Sequence, residues 1–138
     1  EGVNMHHEMI DKYCQLVKKH SMKNYSSLVQ KVIALVDFDI TADLSLSRQA
    51  EILNVNASYL STLFKKEVGV TLTDYVNGKR IEHAILLLNT TTLQIQTIAK
   101  QCGIVDVNYF TKTFKRHIGK TPKEYRDSIT LYRKQKTP

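Results

Sequence analysis

The chain repeats itself, and the repeat restricts its fold to two copies of one small unit. Setting each residue against the one 50 positions further on pairs Tyr59 with Tyr109, Phe64 with Phe114, Lys65 with Lys115, Gly69 with Gly119, Thr71 with Thr121 and Tyr75 with Tyr125. Just upstream the interval becomes 49, pairing Ala50 with Ala99, Leu53 with Cys102 and Val55 with Ile104. The second copy therefore has one extra residue in its turn. Apolar residues recur at helical spacing throughout, no convincing alternating strand is present, and the only prolines are Pro122 and Pro138. An all-α fold is expected.

Each copy opens with a short apolar helix, over 46–53 and 95–102, carrying an alanine (Ala50, Ala99) that permits a second helix to cross closely. A turn follows that needs a residue tolerant of left-handed backbone, and the chain supplies Asn54 and Gly103. Val55 and Ile104 plug the turns. Asn56 and Asp106 stand where a side-chain oxygen accepts from an unpaired amide at the start of the next helix. That helix is expected to bury Leu60, Leu63 and Phe64 in the first copy, and Phe110 and Phe114 in the second. It leaves Ser58, Ser61, Thr62 and Lys65, and Asn108, Thr111, Lys112 and Lys115, facing outward. Gly69 and Gly119 end these helices. Thr71-Leu72-Thr73-Asp74 and Thr121-Pro122-Lys123-Glu124 then read as capping boxes that start the next ones.

Helix, turn and helix with a polar outer face is a shape that fits a major groove about 12 Å wide, where hydroxyl, amide and ammonium groups meet base edges and phosphates. Two copies strengthen that reading over an ordinary helical hairpin. Residues 71–88 read as one connecting helix of roughly 18 residues, about 27 Å long, with Leu72, Tyr75, Val76, Ile81, Ala84, Ile85 and Leu88 as its apolar positions. Such a connection could hold two reading helices near the separation of about 34 Å between successive major-groove turns.

Charge placement points the same way. The net charge is +7, but residues 1–108 hold 11 basic and 11 acidic side chains, whereas residues 109–138 hold 9 basic against 2 acidic. Positive charge beside a reading element suits phosphate neutralisation, which releases condensed counterions. For Arg133, Lys134 and Lys136 a solvated tail is the alternative. Upstream, residues 5–17 read as an amphipathic helix, through Met5, Met9, Tyr13, Leu16 and Val17, and Leu28, Val29, Val32, Ile33, Leu35 and Val36 form the apolar face of another that ends before Thr41.

Other classes of function find little support. Cys14 and Cys102 lie far apart without metal-ligand spacing, and His6-His7 reads as solvated, so no metal or cofactor is expected. Arg80 and Glu82 read as an ion pair or packing residues. No catalytic residues can be assembled: the chain has no nucleophile with a base, no glycine-rich phosphate loop and no paired carboxylates. No apolar run approaches the roughly 20 residues that span a bilayer. The start at Glu1, with no secretory signal, suggests a fragment of a longer cytoplasmic protein.

With those residues in place, the stretch from about 26 to 128 resembles the DNA-binding domain of the AraC/XylS family of bacterial transcription regulators. The first unit is echoed in Asn56-Ala-Ser-Tyr-Leu-Ser-Thr-Leu-Phe-Lys-Lys-Glu-Val-Gly69. The more diagnostic second unit is echoed in Ile98-Ala99, Cys102-Gly103 and Asp106-Val-Asn-Tyr-Phe-Thr-Lys-Thr-Phe-Lys-Arg-His-Ile-Gly-Lys-Thr-Pro-Lys-Glu-Tyr-Arg126. The resemblance implies a sequence-specific, non-enzymatic regulator that inserts two recognition helices into adjacent major-groove segments of promoter DNA. It implies double-stranded DNA as partner, RNA polymerase as a candidate second partner, and an effector-binding or signal-receiving domain elsewhere in the full-length protein. By position it points to Ser58, Ser61 and Thr62, and to Asn108, Tyr109, Thr111 and Lys112, as base-facing, with Lys65, Lys66, Lys115 and Arg116 nearer phosphates.

Relatives commonly carry Arg where Thr62 and Lys112 stand, and Thr cannot bind guanine bidentately as Arg does. Tyr59 and Tyr109 stay open between packing and reading DNA, and Lys65-Lys66 between phosphate contact and solvated surface. The expected organisation is an N-terminal amphipathic helix and linker over 1–24, then a DNA-binding domain over 25–138, with a first unit at about 43–70, the connecting helix to about 89 and a second unit at about 91–131. A rival reading makes the paired units a scaffold. Residues 5–17 would then bind a partner, and the same helix could instead dock on the core, dimerise or join the missing domain.

Overall fold

The computed structural model describes residues 25–136, which form helices joined by turns and short loops, with no strand among them. The helix expected over 5–17, with His6, His7 and Cys14, lies outside the described residues. The chain gathers into two compact units that divide between Val76 and Asn77, inside the connecting helix.

The first unit contains α1 (Ser27–Phe38), α2 (Leu46–Leu53), α3 (Ala57–Val68) and the opening turn of α4 (Leu72–Thr90). Ser26 caps α1 by accepting from the Val29 amide at 3.4 Å, and Val29, Val32, Ile33 and Val36 then recur on one fully buried stripe. Glu67 of α3 accepts the Ser26 amide at 2.6 Å, tying the start of α1 to the end of α3. The Ser45 hydroxyl accepts from the Arg48 amide to start α2. Asn54 ends it at φ 55, the left-handed region. The Val55 amide then reaches back to the Ala50 carbonyl at 3.0 Å, which closes the turn and brings α3 across the buried Ala50. Leu60 and Phe64 of α3 are wholly buried, each removing apolar surface worth about 1.5–3 kcal/mol. The Phe64 ring meets Tyr75 edge-on, with centroids 5.5 Å apart.

The second unit, the rest of α4 with α5 (Ile95–Gln101), α6 (Val107–Ile118) and α7 (Pro122–Lys136), repeats the device with different residues. Gly103 takes the left-handed position at φ 93, and the Ile104 amide reaches the Ala99 carbonyl at 2.9 Å. The extra residue of this copy is Val105. It is 79% exposed, so the insertion leaves the core untouched. Phe110 and Phe114 are wholly buried, with ring centroids 6.0 Å apart, and Phe114 meets Tyr125 edge-on at 5.8 Å. α7 starts with a reciprocal capping box: the Thr121 amide donates to Glu124 Oε1 at 2.9 Å and the Glu124 amide to Thr121 Oγ1 at 3.1 Å. At α4 the Asp74 amide donates to Thr71 Oγ1 at 3.1 Å.

Several expectations need adjustment. The connecting helix runs from Leu72 to Thr90, two residues beyond the apolar stripe that ends at Leu88. Leu63 is only partly buried. α5 stops at Gln101, with Cys102 as its cap, because Gly103 must already turn left-handed. The compact first unit holds more than its helix-turn-helix, since α1 and the Leu72, Tyr75 and Val76 side chains share its core. Gln49 is wholly buried where the second copy has Ile98. Its amide nitrogen donates to the Leu44 carbonyl at 2.9 Å, satisfying the loop that leads into α2. Glu82 pairs with Lys79 at 4.0 Å.

Candidate nucleic-acid interface

The buried residues of α6 fix which of its residues can meet a partner. Phe110, Thr113 and Phe114 face the core, so at about 100° per residue the opposite side belongs to Asn108, Lys112, Lys115 and Arg116, all exposed. The helix start is held firmly: Asp106 Oδ1 accepts from the amides of Asn108 at 2.9 Å and Tyr109 at 3.3 Å. Thr111 is half-buried rather than outward, and its hydroxyl donates to the Val107 carbonyl at 2.9 Å, so that donor is already used within the helix. Tyr109 is 45% exposed, and its hydroxyl packs inward, accepting from the buried Asn77 Nδ2 at 2.9 Å.

α3 carries the corresponding stripe in the first unit. With Leu60 and Phe64 buried, Ser58, Thr62, Lys65 and Lys66 are exposed at the same four positions of the turn, offset by 50 from Asn108, Lys112, Lys115 and Arg116. Ser61, like Thr111, is half-buried. Tyr59 is 57% exposed. Lys65 and Lys66, and likewise Lys115 and Arg116, occupy the last turns, where they also complement the negative end of the helix dipole. The chemical contrast is in the first two turns: two short hydroxyls, Ser58 and Thr62, against an amide and an ammonium, Asn108 and Lys112.

Not all of the C-terminal positive charge is available to an anionic partner. Arg126 donates through Nη1 to the Leu93 carbonyl and through Nη2 to the Thr91 carbonyl, the latter at 3.3 Å. Arg133 Nη2 donates to the Asn89 carbonyl at 2.7 Å. Both guanidiniums therefore satisfy carbonyls at and just beyond the C-terminus of α4, where intrahelical donors run out. Arg133, expected as a phosphate contact or part of a solvated tail, has a third role. Asn77, Arg126 and Arg133 were not legible as partners of distant groups. The one signal at Asn77 was a poor helix former, followed by Gly78, inside an otherwise apolar helix.

Cys102, beside the turn of the second unit, is fully buried, and that burial pushes its thiol up to about 12 against the opposing influence of the Arg80 charge. It is a packing residue. Among the described residues no helix is long and apolar enough to cross a membrane.

Comparison with known proteins gives this arrangement its relatives. A family model described as a helix-turn-helix domain matches residues 49–128. The uncharacterized HTH-type transcriptional regulator YijO of Escherichia coli is 32% identical over 100 residues, covering 72% of this chain and 35% of the relative. The C-terminal domain of AraT, a response regulator from Geobacillus stearothermophilus, has a TM-score of 0.74 at 33% identity, over 77% of this chain and 88% of that one. The DNA-binding domain of AdpA, a global transcriptional factor solved in complex with a target DNA, shares the fold at a TM-score of 0.72 and 20% identity, over 80% of this chain and 99% of that one. The chain spans about a third or less of the length of the first curated relatives it matches. On the family match and the likeness of its paired units, the chain belongs to the AraC/XylS-type helix-turn-helix family of DNA-binding transcription regulators.

Proposed function

We propose that α3 and α6 are reading helices that enter adjacent major-groove segments of promoter DNA and give this regulator its sequence preference. The observation that carries the proposal is the doubled stripe: Ser58, Thr62, Lys65 and Lys66, and fifty residues on Asn108, Lys112, Lys115 and Arg116, are exposed at identical positions of two helices whose opposite faces are buried. A relative with the same fold, the AdpA domain, is described with its target DNA. Asn108 and Lys112 are assigned to base edges, since an amide pairs with adenine and an ammonium with guanine acceptors. Ser58, Thr62 and the half-buried Ser61 offer weaker, hydroxyl-based readout. Lys65, Lys66, Lys115 and Arg116 are assigned to phosphates, and Thr111 to positioning the helix. Residues 25–138 act together as the DNA-binding part. An effector-binding or signal-receiving domain joins them in the full-length cytoplasmic protein, a reading supported by the likeness to a C-terminal domain of a response regulator, and RNA polymerase is the second partner at the promoter.

Titration of labelled duplexes with this chain tests the reading. A sequence selected from a random pool should bind more tightly than the pool itself, and affinity should fall steeply with salt. Lys112→Ala should reduce discrimination between the two probes. Lys115→Ala should weaken both alike and lower the salt slope by about 1. Equal affinity for selected and random duplexes would refute sequence-specific reading, and the reverse pattern of the two lysine substitutions would exchange their roles.

A further inference from the structure

The hydroxyl of Tyr109 is held by a bond that leaves its proton to give. A phenol has one O–H to give and lone pairs to receive. Here Asn77 Nδ2, from a residue only 4% exposed, donates into the oxygen at 2.9 Å. The residue is pinned at its other end, because its own backbone amide donates to Asp106 Oδ1. What remains is a half-exposed side chain whose hydroxyl accepts from Asn77, a bond that does not use the phenol's own O–H. On α6 the spacing of Tyr109, Lys112 and Arg116 by three and seven residues sets all three on one flank of the outward stripe.

We propose that Tyr109 is a neutral phosphate anchor: its O–H donates to a DNA backbone oxygen, with Asn77 as the positioning residue that holds the phenol in place. This rests on α6 entering a groove. It differs from the lysine contacts in a measurable respect, because a neutral donor displaces no condensed counterion. It differs from base reading as well, because phosphates are the same in every sequence.

The experiment measures anisotropy of two labelled probes, a random-sequence duplex pool and the best duplex selected from it by the unsubstituted chain, over a range of salt concentrations. Each variant's folded fraction is set by circular dichroism at the assay temperature. Tyr109→Phe should weaken both probes by a similar factor, roughly three- to tenfold, with the salt slope unchanged, whereas Lys115→Ala lowers the slope. Asn77→Leu should weaken binding in the same uniform manner, and adding it to Tyr109→Phe should cost nothing more, since the two act through one hydroxyl. A purely structural Asn77 would keep its effect when combined with Tyr109→Phe and so overturn the positioning role. Unchanged binding by Tyr109→Phe, a loss confined to the selected duplex, or a lowered slope would each overturn the anchor. If the unsubstituted chain binds neither probe, DNA binding itself fails, and with it this inference.

Discussion

Asp106 offers the sharpest test of how α6 is held. One carboxylate oxygen accepts two backbone amides, those of Asn108 at 2.9 Å and Tyr109 at 3.3 Å, and its charge lies at the positive end of α6. Loss of an N-cap costs about 0.5–2 kcal/mol, and loss of a favourable charge at a helix end about 0.3–1 kcal/mol. Asp106→Ala removes both contributions and should destabilise the second unit by about 1–3 kcal/mol. Asp106→Asn keeps an acceptor of nearly equal capping quality and should lose less than about 1 kcal/mol. Because the chain has no tryptophan, far-UV circular dichroism in a urea titration is the assay. The midpoints should fall in the order wild type, Asn, Ala, with an unchanged dependence on urea. An Asn variant as unstable as the Ala variant would refute the hydrogen-bonding account, leaving charge alone as the cause; an Ala variant as stable as wild type would refute both. On the proposed reading, Asp106→Asn should also tighten every duplex, since it removes a negative charge from the start of a helix that meets a polyanion.

Gly78 sits inside α4, and an added Cβ would meet only His117 Cε1 at 3.8 Å, an ordinary contact. Gly78→Ala should therefore raise stability by about 0.5–1 kcal/mol, through the lower conformational entropy of the unfolded chain; a lower melting temperature would show that the α4 and α6 backbones need the closer approach. Glu124 is held below its ordinary value of 4.5, first by the backbone amide and then by the hydroxyl of Thr121. A depressed carboxyl stabilises the fold above its unfolded pKa and loses that contribution as pH falls through the folded one, so the stability advantage of wild type over Glu124→Ala should shrink as pH drops below about 4.5. An advantage constant from neutral pH to below that range, in urea titrations, would contradict the capping role. In a Cys14→Ser background, Cys102 should resist a water-soluble disulfide reagent at neutral pH until urea unfolds the chain, as expected for a thiol raised to about 12 by burial. Rapid labelling of the native protein would argue against it.

What the amino-acid order disclosed in advance is chemistry confined to a few neighbouring residues. Asn54, Gly103, Asn56, Asp106 and the Thr121 to Glu124 box act on amides and carbonyls within about one turn, so type and spacing were enough. The buried aromatics followed from helical periodicity, and the exposed stripe followed from the aromatics. The remainder depends on partners far away in the chain. Asn77 meets Tyr109 across 32 positions and Arg133 meets Asn89 across 44, contacts with no periodic signature. Gln49 and Thr113 are buried polar residues whose type argued for exposure. Ser61 and Thr111 fall at the margin between core and surface, where a shift of about 100° per residue decides, and only the packed helix shows on which side they lie.

The two arginines bonded to the end of α4 bear on timing as well as strength. A guanidinium tethered to the Asn89, Thr91 or Leu93 carbonyls contributes its field at a distance, and the tether restricts how far its remaining donors reach. Lys112 and Lys115 stand instead on the exposed stripe of α6. On the proposed reading, the cations of the C-terminal segment divide into tethered ones that draw a polyanion inward and exposed ones that clasp it. Replacing members of the first group should act chiefly on the rate of encounter, and replacing members of the second on how long the complex lasts.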